Sequence, residues 1–408
     1  MPSSKRIYWK IKRRPRRMTK EKSSHAYSSR FWLLCLSTIL FFASFNMLIP
    51  ELPDFLSKMG GGEYKGLIIS LFTLTAMASR PFSGKLTDML GRKPVMMIGG
   101  IVCLICSLLY PILATVSGFL LLRLLHGFST GFSPTGVAAY ITDTIPANRR
   151  GEAMGWVGTA GALGMAGGPG ISDFVVSSFG FNALFYLSAI FAFLSVLIMM
   201  QVNETLQEKK ALTWRFLKIK PVDVYEPLVL APSFVMLLTA FSYGAVFTLM
   251  PDFGKHVNIM SKGILFTFIT IASLLIRLIA GKASDRYGRV AVLQLSVPLM
   301  IIAMITIGTS TTPEQLMIGA VLYGFAQGST SPTLLAWTTD LCDDQHRGRG
   351  IAFFYIFMEM GIGLGAFVSA WIYGNDSSQF FITFVVCATL CAVAFFYLMT
   401  KHRTRYGN

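Results

Sequence analysis

Residues 80–92 read RPFSGKLTDMLGR, and residues 277–289, which lie 197 positions later, read RLIAGKASDRYGR. The two stretches align without a gap and share Arg, Gly, Lys, Asp, Gly and Arg at equivalent positions. The same shift of 197 residues places Gly164 on Gly361 and Gly168 on Gly365. A constant offset over so much of the chain indicates two copies of one structural unit, arranged in parallel.

The composition is that of a membrane protein. Hydrophobic residues make up 53% of the 408-residue chain and charged residues only 14%, whereas soluble proteins carry about 25% charged residues. A helix that crosses the bilayer needs about 20 mostly apolar residues. Twelve windows meet this requirement, and they predict an all-α membrane protein with twelve transmembrane helices: 31–50, 66–84, 95–115, 119–141, 151–172, 181–201, 228–250, 263–281, 290–309, 315–338, 350–372 and 379–399.

One long polar interruption divides these windows into six and six. We therefore expect a basic tail (1–30), an N-terminal six-helix bundle (31–201), a linker (202–227), a C-terminal six-helix bundle (228–399) and a second tail (400–408). Parallel repeats of this kind place a substrate site near the middle of the membrane, between the two halves. A duplicated scaffold with another purpose, such as a channel, is the alternative.

The charge distribution predicts the orientation. Residues 1–30 contain eleven Lys and Arg and a single acid, directly before the first apolar window. A basic segment in that position acts as a topology signal and attracts anionic lipid headgroups, which we prefer to nucleic acid as its partner. Of the 36 Lys and Arg, 29 fall on the side of the two termini, four on the opposite side and three within windows. Both termini are therefore expected in the cytoplasm, in a cell inner membrane.

The loop GKLTDMLGRKP at 84–94 resembles the loop between helices 2 and 3 of the major facilitator superfamily, Gly-x-x-x-Asp-(Arg/Lys)-x-Gly-Arg-(Arg/Lys). It differs at Met89, and its second copy differs at Val290, where basic residues are usual. The resemblance covers residues 30–400 and implies a major facilitator fold and secondary active transport by alternating access. It also implies a conformational switch at the inner face, formed by Gly84, Asp88, Gly91, Arg92, Gly281, Asp285, Arg286 and Gly288.

A second resemblance concerns the fifth window. Gly155, Gly164, Gly168 and Pro169 have the spacing of the antiporter motif of drug/proton exporters, although Ser172 replaces its last glycine. This resemblance favours proton-coupled export of a small amphipathic drug or metabolite over import. Glycines at such spacing also let helices pack closely, so a purely structural role remains open.

Few ionisable residues lie deep in the predicted helices, where each costs about 2.5–3.5 kcal/mol. Glu359 is the only acid near the middle of a window, and we expect it to couple protons or to balance a cationic cargo; a structural ion pair is the alternative. Arg123, in the fourth window, resembles the intramembrane arginine of the exporters. It could tune a nearby acid, attract an anionic cargo or clamp two helices together.

The repeat also predicts residues that contact cargo. Polar side chains occur at equivalent positions of the two halves, in the helices that line the central cavity of the superfamily: Asn46 with Tyr243, His126 with Tyr323, and Thr130 with Gln327. Polar groups that face lipid would lack hydrogen-bond partners. A shared cavity is therefore the preferred interpretation, and hydrogen bonding inside each bundle is the alternative.

Other classes of function fit less well. An enzyme needs a cluster of His, Asp or Ser, and the five histidines are scattered over the chain. We expect no cofactor and no metal site, and the driving force is expected to be a proton gradient. The expected partners are a small-molecule substrate, protons and the lipid bilayer, without nucleic acid, and the resemblance implies a monomer. An importer, or a sugar or siderophore permease of the same fold, is the nearest alternative.

Overall fold

The computed structural model describes residues 27–113, 115–146, 149–206, 224–259, 261–342 and 347–403. Most of the predicted linker and both tails lie outside these ranges. Within them the chain forms twelve long helices: α1 Ser29–Asn46, α2 Leu67–Met89, α3 Arg92–Leu109, α4 Val116–Thr144, α5 150–179, α6 181–200, α7 Leu230–His256, α8 Lys262–Tyr287, α9 Arg289–Gly308, α10 Pro313–Leu341, α11 Arg347–Tyr373 and α12 Phe380–Arg403. Each matches one predicted window.

The helices differ in mean hydropathy because they carry different numbers of polar residues. Within the described residues, seven helical segments are long and apolar enough to cross a membrane, and a pair bent by 42°, Gly263–Arg277 with Ile279–Tyr287, makes an eighth. One of the seven, Glu152–Met200, is 49 residues long, about twice the length a bilayer requires. It breaks at Gly180, which has a φ of 82°, and so provides both α5 and α6.

The helices pack in the same way in the two halves. In the N-terminal half, a Cβ at Gly164 would lie 2.3 Å from the Ile39 oxygen of α1. In the C-terminal half, a Cβ at the equivalent Gly361 would lie 2.4 Å from the Leu237 oxygen of α7. Gly168 approaches α1 equally closely, one helical turn later. Gly164 and Gly168 therefore have a packing role that is repeated in the other half, because only glycine permits such a close helix contact.

The two halves meet along α2 with α11 and along α5 with α8. We call the ends of the helices that carry the two termini the inner face, and the opposite ends the outer face. Toward the outer face, a Cβ at Gly66 would meet Ala370 at 2.7 Å, and the Pro169 oxygen lies 2.5 Å from the equivalent point of Gly263. The outer ends of the halves are therefore in tight contact.

The inner ends of α5 and α8 are less closely packed. A Cβ at Gly155 or Gly158 of α5, or at Gly281 of α8, would meet nothing within 4 Å among the described residues. Contact at the outer face combined with open space near the inner face corresponds to an inward-facing arrangement.

Candidate transport site and gates

A buried ion pair joins the two halves near the middle of the helices. Arg80 of α2 donates a hydrogen bond from Nη2 to Oε1 of Glu359 of α11, at 3.1 Å. Both side chains are only 7% exposed. The Arg80 guanidinium also lies over the ring of Tyr355, 4.5 Å from its centre. Glu359 is thus bound to the opposite half by a charged hydrogen bond, and Tyr355 covers its partner.

Further polar groups surround this pair. The hydroxyl of Tyr243, on α7, is within electrostatic reach of both Glu359 and Arg277 of α8. The hydroxyl of Tyr355 is within electrostatic reach of Arg80, Glu359 and Arg277. These five residues form what we call the central cluster. It contains two arginines, one carboxyl group and two phenols, and its members come from α2, α7, α8 and α11.

Arg123 is not part of this cluster. It is 2% exposed and donates from Nε to the backbone oxygen of Ile68 at 2.8 Å, and its guanidinium lies over the ring of Phe72, 4.6 Å from the centre. It also donates to the hydroxyl of Tyr110 at 3.3 Å. The expectation that Arg123 tunes the proton-coupling acid is therefore not supported, because Arg80 is the arginine that meets Glu359. The contacts of Arg123 are those of a clamp between α4 and α2.

His126 is also held within the N-terminal half. Its ring is completely buried and contacts the Tyr110 hydroxyl at 3.2 Å and the Cys103 sulfur at 3.2 Å. This is hydrogen bonding inside the bundle, the alternative to the predicted cavity role. Both ring nitrogens are occupied by neighbours from the same half, so the prediction that His126 lines the cavity does not fit this conformation.

The other predicted cavity residues divide into two groups. Asn46 and Thr130 are buried and bond to backbone oxygens of their own helices, at 2.8 and 3.0 Å. Tyr323 is also fully buried, so these three do not line an open cavity here. Tyr243 and Gln327 are partly exposed, and the ring of Tyr243 stacks on Phe247 at 4.1 Å. Partial exposure is what contact with cargo requires, so the cavity role stays a prediction for Tyr243 and Gln327.

Two ion pairs close the outer face. Lys65, just before α2, pairs with Asp252 of α7 at 2.6 Å, and both are largely buried. Lys255 of α7 pairs with Asp54 of the short helix Leu52–Lys58. Each pair joins one residue of the N-terminal half to one of the C-terminal half. The lysine belongs to the N-terminal half in the first pair and to the C-terminal half in the second. They hold the outer ends of the halves together, so they must break if the outer face is to open.

At the inner face, three of the predicted switch residues, Asp88, Arg92 and Asp285, form ion pairs within their own halves. Arg92 lies 3.6 Å from Asp88 and 2.8 Å from Asp143. In the other half, Arg289 pairs with Asp285 and lies 2.8 Å from Asp340. The pairs therefore join the loop after α2 to the end of α4, and the loop after α8 to the end of α10. The switch role that the resemblance implies for Asp88 and Asp285 stays a prediction.

The glycines of these loops meet a specific conformational requirement. Gly91 has a φ of 118° and Gly288 a φ of 93°, a region that residues with a Cβ rarely occupy. Gly84 and Gly281 have open space around them among the described residues, and the guanidinium of Arg286 lies 5.4 Å from the centre of the Tyr287 ring. The sharp turns between paired helices therefore explain Gly91 and Gly288, but not Gly84 or Gly281.

Glu204, which comes after α6, caps the start of α3. Its carboxylate accepts hydrogen bonds from the backbone N–H groups of Arg92 and Lys93, at 3.0 and 3.2 Å, and from those of Thr205 and Leu206. Partial burial acts to raise the pKa of Glu204, but these four N–H groups hold its pKa below the ordinary value. A carboxylate at a helix N-terminus satisfies unpaired donors and the helix dipole together.

Sequence reasoning missed several of these residues, although signals for some were present. Arg80 and Arg277 are charged residues inside predicted helices, and they occupy equivalent positions of the repeat. Lys65 and Asp252 lie at window edges, where a charge is ordinary and gives no signal. Among the described residues, no group of three or more His, Cys, Asp or Glu is arranged to hold a metal ion.

Comparison with known families gives a match over most of the chain. The model of the Major Facilitator Superfamily matches residues 34–257 and 232–408. The multi-drug resistance efflux pump PmrA of Streptococcus pneumoniae is 28% identical over 366 residues, which cover 86% of this chain and 90% of that protein. The multidrug resistance protein MdtG of Serratia proteamaculans is 27% identical over 379 residues, 89% of this chain and 90% of its own.

Solved structures show the same fold at lower identity. The human organic anion transporter MFSD10 superimposes with a TM-score of 0.73 at 20% identity, over 91% of this chain and 100% of that one. A D-xylose-proton symporter superimposes with a TM-score of 0.75 at 15% identity, over 90% of this chain and 96% of that one. At these identities the similarity establishes the architecture, and the cargo of this chain has to be argued from its own residues.

Proposed function

Because this chain belongs to the major facilitator superfamily, and is thus a multi-pass membrane transporter and not an enzyme, we propose that it exports a small amphipathic molecule in exchange for protons. The ion pair between Arg80 and Glu359 carries this proposal. The similarity to PmrA and MdtG, which are named as multidrug efflux and resistance proteins, supports the direction of transport.

The chemistry of the pair suits proton coupling. A carboxyl group in a membrane helix can lose its charge by binding a proton, and the proton removes its attraction to a nearby arginine. Glu359 and Arg80 belong to different halves, so the protonation state of one side chain alters the contact between the halves. Arg80 cannot be the group that binds and releases the proton, because arginine stays charged at all physiological pH values.

The cycle is built on the contacts that exist in this conformation. With Glu359 ionised, the Arg80–Glu359 pair and the outer pairs hold the empty protein inward-facing. Cargo that enters from the inner face competes for groups of the central cluster and weakens the pair, which permits the outer face to open. A proton from outside then neutralises Glu359 and accompanies the return. Release of that proton to the cytoplasm restores the pair.

The remaining elements of the proposal concern location and assembly. We place the protein in the cytoplasmic membrane with both termini inside, which is supported by the 29 Lys and Arg on the side of the termini. We propose a monomer with one central pathway. Gly155, Gly164, Gly168 and Pro169 support export through their resemblance to the exporter motif, and Pro169 lies in the contact between the halves.

The test uses inverted membrane vesicles that contain the wild-type protein and a pH-sensitive dye. After energisation, aromatic cations, neutral compounds and carboxylates are added one at a time. We expect some compounds to release protons from wild-type vesicles and none to do so from vesicles with Glu359→Gln. Glu314→Gln is the matched control, because Glu314 is an exposed glutamate in the first turn of α10. Its vesicles should respond like the wild type.

Two results would contradict parts of this proposal. If no compound moves protons, while right-side-out vesicles accumulate a radiolabelled compound from the panel, the protein is an importer and the export proposal is wrong. If compounds move protons equally well with Glu359→Gln, another group carries the proton and the role of Glu359 is structural.

A further inference from the structure

Arg80 and Arg277 are equivalent residues of the repeat, but their surroundings differ. Arg80 has Glu359 as its carboxylate and Tyr355 over its guanidinium face. Arg277 is partly exposed, and the hydrogen bond described for it is a long one, 3.5 Å to the hydroxyl of Ser273 on its own helix. Among the described ion pairs, no carboxylate approaches Arg277. The second arginine of the central cluster thus lacks the counter-charge that the first one has.

The repeat explains why that counter-charge is missing. The shift of 197 residues that relates Arg80 to Arg277 relates Glu359 to Ala162, and Tyr355 to Gly158. A Cβ at Gly158 would meet nothing within 4 Å among the described residues. By the repeat, the positions of α5 that correspond to the carboxylate and the phenol in front of Arg80 hold an alanine and a glycine with open space around it.

We propose that a carboxylate of the transported molecule fills this position and pairs with Arg277, so that the cargo is an amphipathic organic anion. This deepens the proposed function and rests on it, because it names the chemical class of the cargo at the same site. The planar guanidinium offers two parallel N–H donors that match a carboxylate. Arg80, Arg277 and Glu359 together carry one net positive charge, and one carboxylate neutralises it.

The neighbouring residues fit such a ligand. Tyr243 and Tyr355 lie within electrostatic reach of Arg277, and both are partly exposed. Their hydroxyls can donate hydrogen bonds to the second carboxylate oxygen. The ring of Tyr243, stacked on Phe247, offers an aromatic surface beside the charge. In this conformation Arg80 already pairs with Glu359, so the cargo carboxylate meets Arg277 first, and its negative charge then weakens the attraction between Arg80 and Glu359.

The test is a binding measurement that needs neither a proton gradient nor a transport direction. Wild-type protein in lipid nanodiscs is titrated with the dansyl derivatives of glycine, leucine and phenylalanine, and with their uncharged amides, while dansyl fluorescence is followed. We expect at least one acid to bind about tenfold or more tightly than its amide, the difference that a hydrogen bond to a charged group provides.

The variants identify the residue responsible. Arg277→Gln should lower the affinity for the acid to that for the amide, while the affinity for the amide is unchanged, which also shows that the variant is folded. Tyr355→Phe should reduce the preference for the acid by a smaller factor. Lys282→Gln, which removes an exposed charge five residues beyond Arg277 on the same helix, is the control and should retain the full preference.

Two results overturn the proposal: no acid binds more tightly than its amide, or the preference survives Arg277→Gln. If Arg277→Gln does not fold, Arg277→Lys and Tyr355→Phe decide, and full preference in both is the contrary result. Failure of proton exchange in the vesicle assay would leave this binding result unaffected, because binding is measured at equilibrium. The two proposals therefore fail separately.

Discussion

Arg80 of α2 and Glu359 of α11 form a buried pair across the boundary between the two halves, with 3.1 Å between Nη2 and Oε1. The contact joins the two halves, and its members are 279 residues apart in the chain. The free energy needed to desolvate a buried pair offsets much of its attraction, so the intact pair adds little to stability. A change of charge on one member has a large effect, because it leaves the other charge buried without a partner. This makes the pair suitable for linking a proton to the arrangement of the halves.

The first prediction concerns the stability of that pair. Arg80→Gln leaves the Glu359 carboxyl buried without its cation, and breaking a buried pair in this way costs about 3–5 kcal/mol. The double variant Arg80→Gln with Glu359→Gln leaves no charge behind and should be more stable than Arg80→Gln alone. The midpoint of thermal unfolding in detergent at pH 7.5 compares the stability of the single variant with that of the double variant. Equal midpoints for the single and double variants would show that the two residues are not energetically coupled.

The second prediction concerns the outer gate. Lys65→Gln removes the pair with Asp252 and should increase the time that the outer face is open. A reporter cysteine is placed at Ser70, whose Cα lies 3.8 Å from the point where Gly363 of the other half would carry a Cβ, in a variant whose six native cysteines are replaced. Its labelling by a membrane-impermeant maleimide from outside should become several times faster.

Two further variants control this result. The charge swap Lys65→Asp with Asp252→Lys should return labelling toward the rate of the parent. Glu63→Gln, at an exposed position nearby, should leave the rate unchanged. If labelling stays slow in Lys65→Gln, the pair does not govern opening of the outer face.

The third prediction is a pH dependence at the inner face. Because the pKa of Glu204 is lower in the folded protein than its ordinary value of 4.5, its ionised form stabilises the fold. That contribution is complete above pH 4.5 and disappears as the pH falls through the lowered pKa. Glu204→Gln should therefore cost about 1 kcal/mol at pH 7, as the loss of a helix cap does.

Thermal unfolding of wild type and Glu204→Gln at pH 7 and at pH 3 measures this effect. The difference between the two proteins should be clear at pH 7 and small at pH 3. Glu314→Gln, at an exposed position, serves as the control and should differ little from wild type at either pH. A constant difference for Glu204→Gln would mean that its carboxylate does not act as the cap.

Much of the architecture could be predicted from the sequence, since each long helix is marked by its own apolar residues. The break at Gly180 illustrates the limit. A glycine between two apolar runs is a weak signal, but the separation of the predicted windows 151–172 and 181–201 placed it correctly. The helix ends were less accurate, because α2 and α10 continue past their apolar windows as polar helix.

The site was harder to predict because its contacts join distant parts of the chain. Glu359 was recognisable as a costly charge in an apolar helix, but nothing local indicates that Arg80, and not Arg123, lies opposite. His126 and Asn46 show a related difficulty. Polar residues that bond inside a bundle are the same types that line a cavity, and only their burial and partners distinguish the two roles.

The last prediction uses the repeat to supply the missing counter-charge. Ala162 is the equivalent of Glu359, and α5, which carries it, packs against α8, which carries Arg277. Ala162→Glu should therefore provide Arg277 with a carboxylate from the protein, much as Arg80 has Glu359. An internal carboxylate competes with one from a ligand, so binding of dansyl amino acids should weaken about tenfold or more, while binding of their amides changes little.

Ala162→Gln is the matched control for this experiment, since it adds nearly the same volume without the charge. If both substitutions weaken the acids and the amides alike, the effect is steric and the electrostatic interpretation is wrong. Adding Arg277→Gln to Ala162→Glu removes the cation, so the acids should then bind no better than they do to Arg277→Gln alone. Weak binding of the acids that is confined to Ala162→Glu and depends on Arg277 would place the two positions opposite each other, as Arg80 and Glu359 are.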